Sequence, residues 1–148
     1  MIALDTNILV YAHRRDSEWH ESAYRAVAEL AEGSAPWCLP WPCVHEFLAI
    51  VTHPKIYRPP TRLADAILQV DYWMESPTLR LIGEATGYWE HLKDLLTAGK
   101  AVGPLVHDGR VAAICRAGGV REIWTADRDY SRFGGLPAKN PLIQSKGQ

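Results

Sequence analysis

Apolar positions recur along this chain in two rhythms, short runs of three or four residues and longer stretches in which they return every third or fourth residue. The first rhythm predicts strands and the second predicts helices with one buried face. Ile2-Ala3-Leu4 is a run that stops at Asp5, and Thr6-Asn7 leads into an amphipathic helix from Ile8 to His13. A second helix is predicted from near Ser17 to about Glu32, with Ala23, Val27, Leu30 and Ala31 on one face and Gly33 as its stop. Trp37-Cys38-Leu39, fenced by Pro36 and Pro40, reads as a short buried strand. Pro42 then fits the first turn of a helix to about Thr52, whose inward stripe is Val44, Phe47, Leu48 and Val51.

Three prolines between His53 and Pro60 mark an exposed loop or crossover. Thr61 is the expected cap of the next helix, in which Leu63, Ile67, Val70 and Met74 share a face, and Ser76-Pro77 closes it before the strand Leu79 to Ile82. A helix from about Glu84 to Ala98 follows, with Tyr88, Leu92 and Leu95 at helical spacing and Gly99 beyond. Asp108 is expected to open another, with Val111, Ile114 and Cys115 inward and Gly118-Gly119 at its end. Glu122 to Thr125 reads as a strand that delivers Ala126-Asp127, and a last short strand is expected between Leu136 and Lys139.

Alternation of strand and helix implies a parallel sheet with crossover helices on both faces. Ligands of such sheets bind beyond the carboxyl ends of the strands, where the strand order reverses. Asp5 and Asp127 fall at strand ends, and Asp108 and Glu46 begin or lie early in helices. The pattern therefore predicts that these four acids converge.

Bulk properties narrow the setting. A chain of 148 residues fits one domain, here residues 1–142, with 143–148 expected as a flexible tail. The apolar runs are too short for a membrane span and no basic leader precedes Asp5, so a cytoplasmic protein with no membrane contact is expected. Three cysteines, Cys38, Cys43 and Cys115, form no Cys-x-x-Cys pair and are expected to fill small apolar sites. A net charge of −1 excludes a uniformly basic nucleic-acid coat, although a groove with an acidic floor and basic rim would cancel in the sum.

Taken singly, Asp5 and Asp127 read as turn residues, Asp108 as a helix cap and Glu46 as a solvated helix acid. Together they point to a metal centre, because carboxylates gathered without a cation repel one another. Oxygen ligands without a His/Cys set favour Mg²⁺ or Mn²⁺ over zinc. Two such ions about 4 Å apart, or a single ion, suit attack on a phosphodiester. Thr6, Asn7 and Thr125 are candidate supports for the acids, and Asp129 is either a fifth acid or a surface turn residue. Arg14, Arg15, Arg110 and Arg128, with His13 and Arg132, are candidates to meet substrate phosphates.

Other chemistries lack their motifs. His45-Glu46 has Ala49 where a zinc-protease helix needs a second histidine, and Asp5-Thr6-Asn7 has Asn7 where an aspartyl-phosphate phosphatase needs an acid. There is no Walker loop, no dinucleotide fingerprint and no Gly-x-Ser-x-Gly elbow. His20, His53 and His91 have no ligand spacing.

Four blocks, Ala3-Leu4-Asp5-Thr6-Asn7, Val44-His45-Glu46-Phe47-Leu48, His107 to Ala113 and Thr125 to Tyr130, stand in the order found in PIN domains. The chain resembles in particular the VapC toxins of bacterial type II toxin–antitoxin systems. That resemblance implies a three-layer α/β/α fold, a ribonuclease dependent on Mg²⁺ with Mn²⁺ as substitute, a homodimer, and inhibition by a cognate antitoxin. It implies Asp5, Glu46, Asp108 and Asp127 as the acidic set that holds metal and carries catalysis, with Thr6, Asn7 and Thr125 as supports. Gly109 stands where the family commonly has alanine, and Tyr130 where it usually has phenylalanine, which is expected to add a hydroxyl and little else. A catalytically silent module that binds RNA or protein, and a metal nuclease acting on structured DNA, are the competing readings. Lys55, Arg58 and Arg62 are further basic candidates without an assigned place.

Overall fold

The computed structural model describes residues 1–143. Among these, the strands β1 (Ile2–Leu4), β2 (Trp37–Pro40), β3 (Leu79–Ile82), β4 (Glu122–Trp124) and β5 (Ala138–Lys139) pair in parallel in the order β3-β2-β1-β4-β5. Six helices alternate with them: α1 (Thr6–His13), α2 (His20–Glu32), α3 (Trp41–Val51), α4 (Leu63–Met74), α5 (Tyr88–Ala98) and α6 (Leu105–Ala117). A 3₁₀ turn, Arg128–Arg132, links β4 to β5. The tail expected at 143–148 lies outside the described residues except for the exposed Ile143.

The chain steps from β1 outward to β2 and β3, then returns to β4 on the other side of β1. Right-handed crossovers in opposite directions place their helices on opposite faces. Accordingly α1 packs on α2 and α3, with α3 on α4, while α5 packs on α6. The outcome is the α/β/α sandwich expected from the alternation. Burial on both faces explains why the inner strands read as apolar runs rather than as alternating patterns: all four residues of β2 are buried, as are Ala3, Leu4, Ile123 and Trp124. The edge strand β5 is exposed.

Several element boundaries and one face depart from the sequence expectation. Helix α2 begins at His20, because Ser17 is used in the preceding turn, where its Oγ accepts from the Trp19 N–H. Helix α5 begins only at Tyr88, after Gly87 at φ +85 has turned the chain through the left-handed region. Helix α6 starts at Leu105, after Gly103 at φ +59 and Pro104, so Asp108 lies inside its first turn rather than at its cap. Thr61 does not cap α4; its hydroxyl pairs with His13 Nε2 and accepts from Arg14 Nη1, while Arg62 takes the cap position.

The buried stripe of α4 is Ala66, Val70 and Trp73, leaving Leu63, Ile67 and Met74 exposed. Two apolar stripes run along this helix. The one bearing Trp73 turns inward because its ring meets Phe47 edge-on with centroids 4.8 Å apart. Phe47 also meets the His13 ring at 5.4 Å and thereby ties α1, α3 and α4 together. Truncation of this fully buried ring in Phe47→Ala is expected to cost about 3–5 kcal/mol, read as a lowered urea midpoint.

Candidate active site

The strand order reverses beside β1, so the crevice between the carboxyl ends of β1 and β4 is the switch point of the sheet. Asp5 leaves β1 there, and its backbone N–H still donates to Trp124 O on β4 at 3.0 Å. Its carboxylate is 7% exposed and supplied on both oxygens. Oδ1 accepts from the Thr6 N–H at 2.8 Å, which caps α1, and from the Cys43 thiol at 3.7 Å. Oδ2 accepts from Thr125 Oγ1 at 2.8 Å and from Asn7 Nδ2 at 3.5 Å.

The expected supports are all engaged with the acids or with one another. Thr6 Oγ1 donates to Glu46 Oε2 at 3.1 Å, which links the first turn of α1 to the middle of α3. The Thr125 hydroxyl, besides donating to Asp5, accepts from Asn7 Nδ2 at 3.2 Å and from the Asp127 N–H at 2.9 Å. Asn7 Oδ1 accepts from the Ala126 N–H at 3.1 Å. Three polar side chains thus lock the start of α1 to the loop after β4.

Asp127 caps the 3₁₀ turn by accepting from the Asp129 N–H at 2.8 Å, and this turn carries Asp129 to the same side. One carboxylate oxygen from each of Asp108, Asp127 and Asp129 lies within 4.8 Å of the others. Asp5, Glu46 and Asp108 together line a cleft of about 580 Å³. Burial, then the charges of Asp127, Asp5, Asp129 and Glu46, push the Asp108 carboxyl up to about 6. Asp5 is also raised, chiefly by burial, with its bonds from Thr125 and Thr6 acting in the opposite direction and the charges of Glu46 and Asp127 adding to the rise.

The basic candidates are spread more widely. Arg110 lines the cleft with the acids but pairs with Glu84, Nε to Oε1 at 2.6 Å. Arg128 lies beside Asp127 in a neighbouring depression that also holds Lys139. Arg15 lines a hollow with His20, Glu21 and Gln69, away from the acids. Arg14 is held by Asp16 at 2.7 Å, by Thr61, and by the Tyr57 ring at 4.2 Å, which leaves its side chain only 11% exposed. Arg132 donates to Gly99 O, and His13 is bonded to Gln69 and Thr61.

Sequence reasoning missed His45, His107, Tyr130 and Cys43 as members of this site. His45 and His107 each immediately precede an acid of the set, a placement that periodicity does not reveal. The cysteines are free and buried, as expected of small apolar positions, but Cys43 also touches Asp5.

A PIN domain family model matches residues 2–136. Ribonuclease VapC48 of Mycobacterium tuberculosis is 31% identical over 138 residues, covering 93% of this chain and 95% of that protein. Ribonuclease VapC43 of the same organism is 31% identical over 143 residues and 96% of each chain. Among solved structures, VapBC2 from Rickettsia felis, bound to a DNA fragment from its promoter, superposes with a TM-score of 0.69 at 19% identity, covering 95% of this chain and 98% of the other. VapC20 of Mycobacterium tuberculosis, a toxin that cleaves the sarcin–ricin loop, gives 0.66 at 15% identity over 92% and 97%. The chain belongs to the PIN-domain family and is a homologue of the VapC ribonucleases. PIN nucleases use divalent metals, and the all-oxygen cluster at Asp108, Asp127 and Asp129 fits a hard cation of that kind.

A carboxyl whose folded pKa is raised favours folding in its neutral form. The contribution of Asp108 is complete below its unfolded value of 3.8 and is lost as pH rises through about 6. Asp108→Asn is therefore expected to melt higher than the parent at pH 7.5 without metal, with the gap closing as pH falls below 5; melting curves across pH check it. Thr125→Val, which strands the Asp127 N–H and removes a donor from Asp5, is expected to lower stability by about 1–3 kcal/mol in urea.

Proposed function

We propose that the protein is a metal-dependent endoribonuclease toxin that hydrolyses RNA phosphodiester bonds and is held inactive by a cognate antitoxin. The observation that carries this reading is the gathering of carboxylates from four separate parts of the chain at the switch point, with Asp108, Asp127 and Asp129 within 4.8 Å of one another. Asp5, Glu46, Asp108 and Asp127 would hold the metal, Mg²⁺ with Mn²⁺ as substitute, and Asp129 would join them. A divalent cation held there would neutralise the acids and draw charge from a phosphate oxygen, opening the phosphorus to attack by water. Thr125 keeps Asp5 and Asp127 at a fixed separation through its paired bonds, and Thr6 orients Glu46 from the opposite side of the cleft. Arg110 and Arg128 flank the acids and are the basic residues assigned to phosphates of the RNA.

The solved relatives include toxin–antitoxin complexes, which supports a protein partner for this chain. Helix α4 adds an exposed apolar stripe of Leu63, Ile67 and Met74, the kind of surface covered by an antitoxin or by the second subunit of a homodimer. No helix among the described residues is long and apolar enough to cross a membrane, and an RNA substrate supports the cytoplasm as its place.

With Mg²⁺ or Mn²⁺ the protein is expected to cleave members of an RNA panel and to spare matched DNA. EDTA should abolish the activity, and Asp5→Asn should reduce it about a hundredfold or more, or about 3 kcal/mol of transition-state stabilisation. Cleavage that survives both treatments would sink the mechanism.

A further inference from the structure

The polar side chains that hold Asp5 and Glu46 are committed within the protein. Thr125 Oγ1 gives its proton to Asp5 Oδ2, Thr6 Oγ1 gives its own to Glu46 Oε2, and Asn7 Nδ2 is divided between Asp5 and Thr125. The Cys43 thiol points at Asp5 Oδ1. Tyr130 differs from these. It is 1% exposed and lines the cleft with Asp5, Glu46 and Asp108, yet its hydroxyl makes no hydrogen bond among the described residues. No fully buried side-chain oxygen or nitrogen among those residues lacks a partner. The phenolic oxygen must therefore sit at the cleft wall, where the little remaining exposure of this residue lies.

A tyrosine hydroxyl carries its proton at neutral pH and so has a hydrogen bond to give. The ring is fixed by burial and by an edge contact with Phe133, centroids 6.2 Å apart, so little rotamer freedom is lost when the hydroxyl engages a ligand. The Asp5 oxygens already receive four donors, and the phenol is not one of them. An arginine or lysine at this place would pair with the carboxylates and compete with a cation for them. A neutral phenol can serve an anionic ligand oxygen without doing so.

We propose that the Tyr130 hydroxyl is a substrate-binding donor of this site, giving its hydrogen bond to a non-bridging oxygen of the phosphodiester that enters the cleft above Asp5 and Asp108. The proposal rests on the nuclease reading above and adds a residue to it. In place of the indifferent hydroxyl expected from the sequence, the side chain supplies the cleft with an uncommitted donor beside Asp5 and Asp108.

The test compares the full chain with Tyr130→Phe, which removes one oxygen from a packed ring. Calorimetry gives Mn²⁺ affinity, melting gives stability, and ³¹P line broadening by the Mn²⁺-loaded protein gives the affinity for dimethyl phosphate, a diester probe. Melting temperature and Mn²⁺ affinity are expected to stay close to the parent, the latter within about twofold. Diester binding and kcat/KM on RNA are each expected to fall about tenfold. Equal diester binding by the two proteins, no diester binding by either, or a parallel loss of Mn²⁺ affinity overturns the proposal. RNA cleavage by the parent protein in any of those cases leaves the nuclease reading standing. A tenfold diester difference in a protein that cuts no RNA upholds the donor and removes the nuclease.

Discussion

The hydrogen bond from Thr125 Oγ1 to Asp5 Oδ2 joins the two strands between which the sheet reverses its order, and the acidic site is arranged around that junction. One oxygen of Asp5 caps α1 and the other is gripped from β4, so the same carboxylate that faces the cleft also fixes the first helix against the sheet. Asn7, two residues further on, repeats the link by bonding to Thr125 and to the Ala126 N–H. Because Thr125 also receives the Asp127 N–H, the positions of Asp5 and Asp127 are coupled through a single hydroxyl. The catalytic edge is in this sense a structural joint, and a change at any of these groups is felt at the others.

Such a joint stores electrostatic stress. A buried carboxylate beside several others is destabilising in its charged form, and burial together with the neighbouring charges accordingly raises the pKa of Asp5 and of Asp108. Stability has to come from elsewhere. It comes from an apolar interior in which Leu4, Ile8, Trp37, Leu39, Phe47, Ile114 and Ile123 are fully buried. The two are connected: Phe47 is locked between α1 and α4, and Glu46, its neighbour in sequence, is thereby presented to Thr6. Packing on one face of α3 sets the position of an acid on the other.

Most of the fold was readable because buried parallel strands leave unambiguous traces. Trp37 to Leu39 between prolines and Ile2 to Leu4 before Asp5 could be little else. What could not be read were choices between equivalent local solutions. Helix α4 carries two apolar stripes, and only the meeting of Trp73 with Phe47, distant in sequence, decides which one faces inward. Asp5 and Asp127 were legible from their places at strand ends, whereas Glu46 lies in the middle of α3 and the direction of Asp129 depends on the 3₁₀ turn that Asp127 caps. Arg14 looked like any exposed basic residue, yet Tyr57, Asp16 and Thr61 together occupy it. Tyr130 looked like a conservative aromatic, because the sequence gives no sign of what its oxygen faces.

The near-neutral composition now has a local explanation. The acids are concentrated at one edge, with Arg110 and Arg128 at their flank and Arg110 shared with Glu84. An acidic floor of this kind repels a polyanion by itself. It has to recruit positive charge as metal, and arrange neutral donors so that they do not compete for the same carboxylates. Thr6, Asn7 and Thr125 meet the second requirement on the protein side of the acids. The Tyr130 hydroxyl, uncommitted and at the wall of the cleft, meets it on the ligand side.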